Sequence, residues 1–464
     1  MIRVLCLVAA LVLLCATPAA AHNVTAGADL RFAQTIAGAE ITVVIKGTTR
    51  VPGPLRVGVI AFQPVTELPI GVQVRSVADG RTVSGSVRAA RDPRYTQFQV
   101  QRTGPHELTL RAGNEVAVVP FRVLVDRGSA GDFLIYGGLF VAGLLMVGGL
   151  LTGALSRRGT AMLLAGGTAA GLTVAAMVVV FEPAMPPGPP DGAAPVAATP
   201  AGGRPFAQGR METVPARPAA GEEFTLRVDL VDGSTGRPVD DLIMHHEALA
   251  HLVVTSEDGR YFRHVHPIRT GPGRLEVRMR ADQPGRYLAH TELEREDSGG
   301  QLLTGGFDVG GDPATPSPSG EPGPSAEASG EPGPSAEASG EPGPSAEASG
   351  EPGTATEASG PAREPGTPVL RPAVPVAGRP ATIELGPAGA VRPWLGMAGH
   401  LIVRSQDGDF LGHVHEMGSA GPRLRFTFSF PEAGRYLAWA QYALNDRIVT
   451  VPFTVDVTAP ESLR

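Results

Sequence analysis

Cysteine is almost missing. The 464 residues contain two, Cys6 and Cys15. Both fall inside an N-terminal stretch that reads as a secretory leader, with Arg3, an apolar Val4–Leu14 core and an Ala19-Ala20-Ala21 cleavage site. Leu14 precedes Cys15, where lipidation wants a small residue. Removal of residues 1–21 would leave no thiol and make His22 the N-terminus, which excludes disulfides, cysteine–zinc sites and cysteine nucleophiles. Lysine is scarce too: Lys46 stands alone among 39 basic residues. The net charge of −7 excludes the basic surface that nucleic acid requires. Eight glutamates in a repeat at 321–360 account for all of that charge, since −7 without them becomes +1. Aromatics make up 5% of the chain and charged residues 18%, while 60 Gly and 44 Pro are too many for one compact domain. The chain must therefore be divided.

Two uncharged runs are long enough to cross a bilayer, which takes roughly 20 residues of helix. They are Phe133–Leu155 and Thr160–Phe181, and Asp132 precedes the first, so the expected helices are 132–155 and 160–181. The short connection carries Arg157 and Arg158, which favours the cytoplasmic side. A leader that exports residues 22–126 and two crossings then place both the N- and C-terminal regions outside a bacterial cell membrane. Gly149 with Gly153, and Gly167 with Gly171, form G-x-x-x-G pairs that allow close helix contact. The uncharged runs hold no Asp, Glu, Lys, Arg or His and suit an anchor rather than an ion path.

The expected fold class is mainly β: three extracytoplasmic Ig-like β-sandwich modules plus the two-helix transmembrane hairpin. Residues 22–126 alternate apolar and polar, with strands expected at 41–45, 55–62, 98–100, 108–110 and 116–125. Residues 182–203 read as a Pro/Ala/Gly linker. Residues 310–366 read as a disordered linker built on the decapeptide Glu-Pro-Gly-Pro-Ser-Ala-Glu-Ala-Ser-Gly. Between and beyond these lie two copies of one module, copy A at 204–309 and copy B at 367–458. His251, His264 and His266 recur as His400, His413 and His415 at an offset of 149. The upstream glycines Gly221 and Gly378 are offset by 157, so copy A carries eight extra residues near 233–241.

Each copy contains an Asp-Gly turn, Asp258-Gly259 and Asp407-Gly408. Folding the flanking strands about a two-residue turn pairs Glu257 with Arg260 and brings His251 opposite His266. His264 lies two residues along on the same face. Opposed Cβ atoms are about 5 Å apart, so three imidazoles can converge on one cation. Copy B repeats this with His400, His413 and His415. Such a set suits copper, zinc or nickel. Met397 and Met417 add soft sulfur in copy B and lean towards copper. Copy A offers His245, His246, Glu247 and His290 instead. His22 with His106 forms a further candidate, in which the terminal amine and ring would chelate Cu(II). A cupin would need a glutamate four or five residues after the second His, where Thr270 and Gly271, or Ser419 and Ala420, stand.

The run of Gly399, His400, Leu401, Ile402 and Val403, then Asp407-Gly408, His413-Val414-His415 and Gly434 to Trp439, resembles the secreted histidine-motif β-sandwich domains of bacteria. These often accompany copper-handling genes and have YtkA-like, FixH-like and CopC-like relatives. The resemblance covers both C-terminal copies, is clearest at His400, His413 and His415, and is matched by His251, His264 and His266. It implies extracytoplasmic metal handling. The N-terminal module is loosely similar to CopC-like domains through His22 and its strand periodicity.

The expected function is a membrane-anchored extracytoplasmic metal-binding protein, with copper, as Cu(I) or Cu(II), ahead of zinc. It would buffer, sense or pass the metal to a transporter or another extracytoplasmic protein, and is not expected to be an enzyme. Two alternatives stay open: an interaction protein without metal on a Pro-rich stalk, and a metal-dependent enzyme using the three-His sites with Glu247 or Glu416 as base.

Overall fold

The computed structural model describes residues 23–25, 27–63, 68–126, 130–181, 189–194, 205–296, 298–312, 366–387, 389–416, 423–444 and 447–460. Residues 1–22, Met417, most of residues 182–203 and residues 313–365 lie outside them.

The protein is mainly β, with six sheets paired into three sandwiches and two apolar helices. In the first sandwich, one sheet orders Asn23–Val24, Glu115–Val123, Gly104–Ala112, Leu68–Ser76 and Thr82–Ala89. The facing sheet orders Leu30–Ile36, Ala39–Lys46, Gly53–Gln63 and Thr96–Val100. Four of these strands, Asn23–Val24, Leu30–Ile36, Leu68–Ser76 and Thr82–Ala89, go beyond those read from the sequence. Glu115–Val123 buries every second residue, from Ala117 through Val119 and Phe121 to Val123, as a strand with one face on a core must.

Copy A pairs a sheet of Ala207–Val214, Glu223–Asp232, Arg274–Arg280 and Ile268–Gly271 with one of Leu242–Ile243, Gly285–Arg295, Ala250–Ser256 and Phe262–Val265, to which Gly299–Val309 adds beside Gly285–Arg295. Copy B repeats the plan with Val369–Arg371, Pro380–Leu385 and Leu424–Ser429 in one sheet. Its other sheet orders Val391–Arg392, Gly434–Leu444, Gly399–Ser405 and Leu411–Glu416, with Arg447–Val457 beside Gly434–Leu444. Strands at 223 and 380 keep the offset of 157, and those at 242 and 391 keep 149. The extra residues of copy A therefore lie in the loop between Asp232 and Leu242. There the Asp232 carboxylate accepts from the backbone and hydroxyls of Ser234 and Thr235, which ties the loop into a turn.

The helices run Ala130–Leu151 and Arg158–Phe181, joined by a 3₁₀ turn at Ala154–Ser156. Both are long and apolar enough to cross a membrane. Large side chains such as Phe133, Leu151 and Leu163 stand exposed along them. The tight crossing uses Gly138 and Gly171: a Cβ on either would lie 2.5 or 2.7 Å from the other's carbonyl oxygen. Gly149 and Gly167 instead face leucine side chains, and Gly153 has left the helix with φ 67°. The chain leaving the second helix returns to the first sandwich, where Asp191 exchanges backbone hydrogen bonds with Val125 at 2.8 and 3.1 Å. Part of the expected 182–203 linker is thus docked rather than free. Gly171→Leu should force the helices apart and lower the thermal stability of the detergent-solubilised chain, whereas Gly166→Leu, which meets open space, should leave it unchanged.

Candidate metal centre

The strands Ala250–Ser256 and Gly399–Ser405 break the alternation seen elsewhere, for six consecutive residues of each are buried. Leu252 and Val254 fill copy A's own core, while His251, Val253 and Thr255 face outwards. What buries them is copy B. The outer faces of the two sheets pack on each other through Val253, Phe262, Ile402, Leu411, Leu437 and Trp439, with Phe262 stacked on Trp439 at 4.6 Å. The contact has a local two-fold character. Val253 lies with Ile402 and Thr255 with Arg404, and each pair is related by the offset of 149. Arg404 is fully buried and donates to Thr255 Oγ1, to Ser256 O at 3.0 Å and to Glu257 O at 2.7 Å.

The two Asp-Gly turns serve this packing. The ladder of copy A stops at Thr255 opposite Phe262, so the turn is wider than two residues and Glu257 does not pair with Arg260. Gly259 and Gly408 take φ of 74° and 88°, and a Cβ on them would meet Leu437 and Leu288 of the opposite copy at 2.4 and 2.2 Å. The wider turn keeps the same pairing sum. His400 lies opposite His415, and Leu252 opposite Val265 puts His251 level with His266.

At one end of this interface the imidazoles gather. In copy A, His251 Nδ1 is 3.2 Å from both His264 Nε2 and His266 Nε2. In copy B, His400 Nδ1 is 3.3 Å from His413 Nε2, and His415 Nε2 is buried without a hydrogen-bond partner. Each trio can present one ligand atom per ring within 4.8 Å of the others. The far side of the rings fixes their protons. His251 Nε2 faces the His245 carbonyl at 3.1 Å and His400 Nε2 faces the Trp394 carbonyl at 3.2 Å. A carbonyl only accepts, so these nitrogens carry the protons. His264 Nδ1 donates to Gln441 Oε1 at 2.9 Å, an amide held in place by its own Nε2 donating to Thr450 at 2.9 Å. His266 Nδ1 faces the Glu40 carboxylate at 2.5 Å, and His413 Nδ1 faces that of Glu292 at 2.9 Å. The inward nitrogens are then lone pairs. Three converge in copy A and two are opposed in copy B. Such an arrangement is repulsive alone and becomes favourable around a cation. Ligating imidazoles commonly have this outer carbonyl or carboxylate partner.

Burial holds His251, His264, His400 and His413 well below the ordinary imidazole pKa, and neighbouring imidazoles push the same way. Burial, then His246 and His245, lowers His415 to about 3, and burial, then His245, lowers His246 to about 4. The rings are therefore neutral ligands near pH 7. Burial raises Glu292 to about 7.

Other sequence candidates are placed differently. The His246 ring lies against His415 of copy B at 3.9 Å and only 6.4 Å from His251. His245 contributes its carbonyl, with its ring beside His246 at 3.9 Å. His290 sits at the interface, donating to Gly408 O at 3.0 Å, away from the trios. Met397 is buried on the turn before His400, paired through its backbone with Trp394. His106 is packed on Phe121 in the first sandwich and bonded to the Gly104 carbonyl at 2.9 Å. His22 and Met417 lie outside the described residues. Glu247 is paired with Arg31 at 2.9 Å, and Glu416 accepts from the Arg425 backbone at 2.8 Å. The sequence reading missed Glu40, Glu292, Gln441 and Trp394. For Glu292 and Gln441 the signal was present, because they are themselves offset by 149 and pair reciprocally with His413 and His264.

Residues 208–310 and 378–459 each match the family model described as Domain of unknown function (DUF8832). No curated protein matches the chain. Among solved structures, it is similar to trypsin-activated alpha-2-macroglobulin from Escherichia coli at 10% identity, covering 91% of this chain and 24% of that one, with a TM-score of 0.18. Invasin, a bacterial integrin-binding protein, gives 7% identity, 90% and 60% coverage and a TM-score of 0.16. The chicken CNTN1 FN1-FN3 domains give 8% identity, 89% and 97% coverage and a TM-score of 0.15. The chain thus spans about a quarter of the first and three fifths of the second.

The metal-free protein should lose stability as pH falls below about 6.5. Unfolded imidazoles take up protons there and the buried ones do not, so stability is complete above 6.5 and declines towards the depressed folded values. Each fully buried ring contributes up to about 1.4 kcal/mol per pH unit, and Glu292 offsets one of them. Thermal melts at pH 7 and 5.5 would read this as a fall of several degrees, and equal midpoints would contradict neutral buried rings.

Proposed function

We infer that the protein is a membrane-anchored, extracytoplasmic cation-binding protein whose two histidine trios hold one metal ion each. The observation that carries this reading is the proton placement. In copy A all three rings turn a protonated nitrogen outwards to a fixed acceptor, which leaves three lone pairs facing one point; in copy B His400 does the same, and His413 does so when Glu292 is ionised. A hydrogen-bonded histidine network would need a proton between each pair of nitrogens, and these acceptors draw the protons away.

Copper is the first candidate metal. Among divalent first-row ions copper binds nitrogen donors most tightly, and a closed zinc site wants four ligands where each trio supplies three. The thioether argument contributes little, since Met397 is seen only in backbone pairing. The bound ion would be stored, sensed or handed on rather than used for turnover, because the two nearby carboxylates once considered as bases, Glu247 and Glu416, are held by other partners. The leader, the two apolar helices and the Arg157-Arg158 connection support an outward-facing orientation on a bacterial cell membrane.

The full chain, purified in detergent and loaded separately with Cu(I), Cu(II) and Zn(II), should retain two ions after desalting, measured by elemental analysis. Joint replacement of His264 and His266 by Ala should leave one ion, and adding His413→Ala and His415→Ala should leave none. No retained metal in the unaltered chain would overturn the reading. Glu292→Gln, which keeps an acceptor but removes the charge, should weaken the copy B site about tenfold and leave copy A's stoichiometry intact.

A further inference from the structure

We propose that the two trios form a single centre shared by all three sandwiches, and that a cation held there fastens copy B onto the rest of the chain. This rests on the cation-binding reading. No sandwich completes its own site. His266 of copy A is oriented by Glu40 of the first sandwich, whose Thr35 also donates its backbone N–H to the His266 carbonyl at 2.7 Å and accepts the His266 N–H on its Oγ1 at 3.0 Å. His264 of copy A is oriented by Gln441 of copy B, and His413 of copy B by Glu292 of copy A. His246 of copy A lies on His415 of copy B. Across the interface, His413 is 5.0 Å from His264 and 5.2 Å from His251, ring centre to ring centre, so the two trios adjoin.

Copy B has two further contacts with the rest of the chain. It meets copy A through a cluster of six apolar side chains, the hydrogen bonds of Arg404 and His290 donating to the Gly408 carbonyl. It meets the first sandwich where Trp394, Leu395, Ala443 and Ile448 pack against Ala33, Ile60 and Phe62. The same docking brings the lone pairs of the two trios close together. With ions this arrangement is attractive; without them it opposes the docking that creates it. Loading and docking are therefore one equilibrium, and each must bias the other by the same factor.

Both tryptophans report on this interface. Trp394 is wedged among His400, His264 and His266 at 4.8, 5.7 and 6.0 Å, and Trp439 stacks on Phe262. They are 1% and 3% exposed. The test uses the full chain in detergent, with a site-specific protease sequence inserted in the 321–360 repeat. After cleavage, copy B should co-elute with the remainder in the presence of Cu(I) or Zn(II). Chelation should release it and shift tryptophan emission to the red. Arg404→Ala supplies the second arm. It lies four residues along the strand from His400, about 13 Å away at ~3.3 Å per residue, and replaces no ligand. It should weaken metal retention about tenfold while keeping two sites at saturation. Copy B that stays docked after chelation would overturn the proposal, as would Arg404→Ala that releases copy B with metal affinity unchanged. A chain that binds no ion in either arm would instead remove the cation reading beneath it.

Discussion

Where the protons sit on buried imidazoles governs this protein. A neutral ring has one donor and one acceptor nitrogen, and its surroundings choose between them. Here two backbone carbonyls, one amide and two carboxylates stand behind five of the rings, so the donors point outwards and the acceptors point in. None of those partners is local to the His-x-His segment it serves. Two come from the turns that precede the His251 and His400 strands, and three come from another sandwich. The chemistry of the centre is therefore set by how whole sheets pack.

That packing explains features that look unrelated along the chain. The glycines of the two Asp-Gly turns permit left-handed backbone, and they also let each turn lie on the opposite copy's Leu288 or Leu437. The apolar centre of the interface adjoins the histidine end. Arg404 closes the other end by satisfying carbonyls that the turn of copy A leaves exposed. Leaving those carbonyls unpaired would cost about 1–3 kcal/mol each, so a buried cation is tolerable there in a way that it would not be in a plain apolar layer.

Much of the architecture is legible in sequence. Period-two alternation marks strands such as Glu223–Asp232 and Leu424–Ser429, whose burial alternates residue by residue. The duplicated spacing marks the two copies, and counting from Asp-Gly gives the register of the histidines even though the turn is wider than supposed. What periodicity cannot convey is a second partner for a sheet's outer face. The unbroken burial of 250–255 and 399–404 was the available sign, because an antiparallel strand with both faces covered needs another layer. Glu40 left no local sign at all, since it reaches His266 from 226 positions away.

The Thr255–Arg404 contact also constrains history. In a symmetric pair of identical modules, a residue on the rotation axis meets its own copy. An arginine there would face an arginine in a dry setting, and a threonine would face a threonine and leave the neighbouring carbonyls bare. A chain that carries the module twice can place the cation on one side and its acceptor on the other. The same freedom separates Glu292 from Gln441, and His290 from Trp439. Duplication within one polypeptide thus turns a surface that could serve only like-with-like pairing into a handed joint, in which each half has its own chemistry and neither can replace the other.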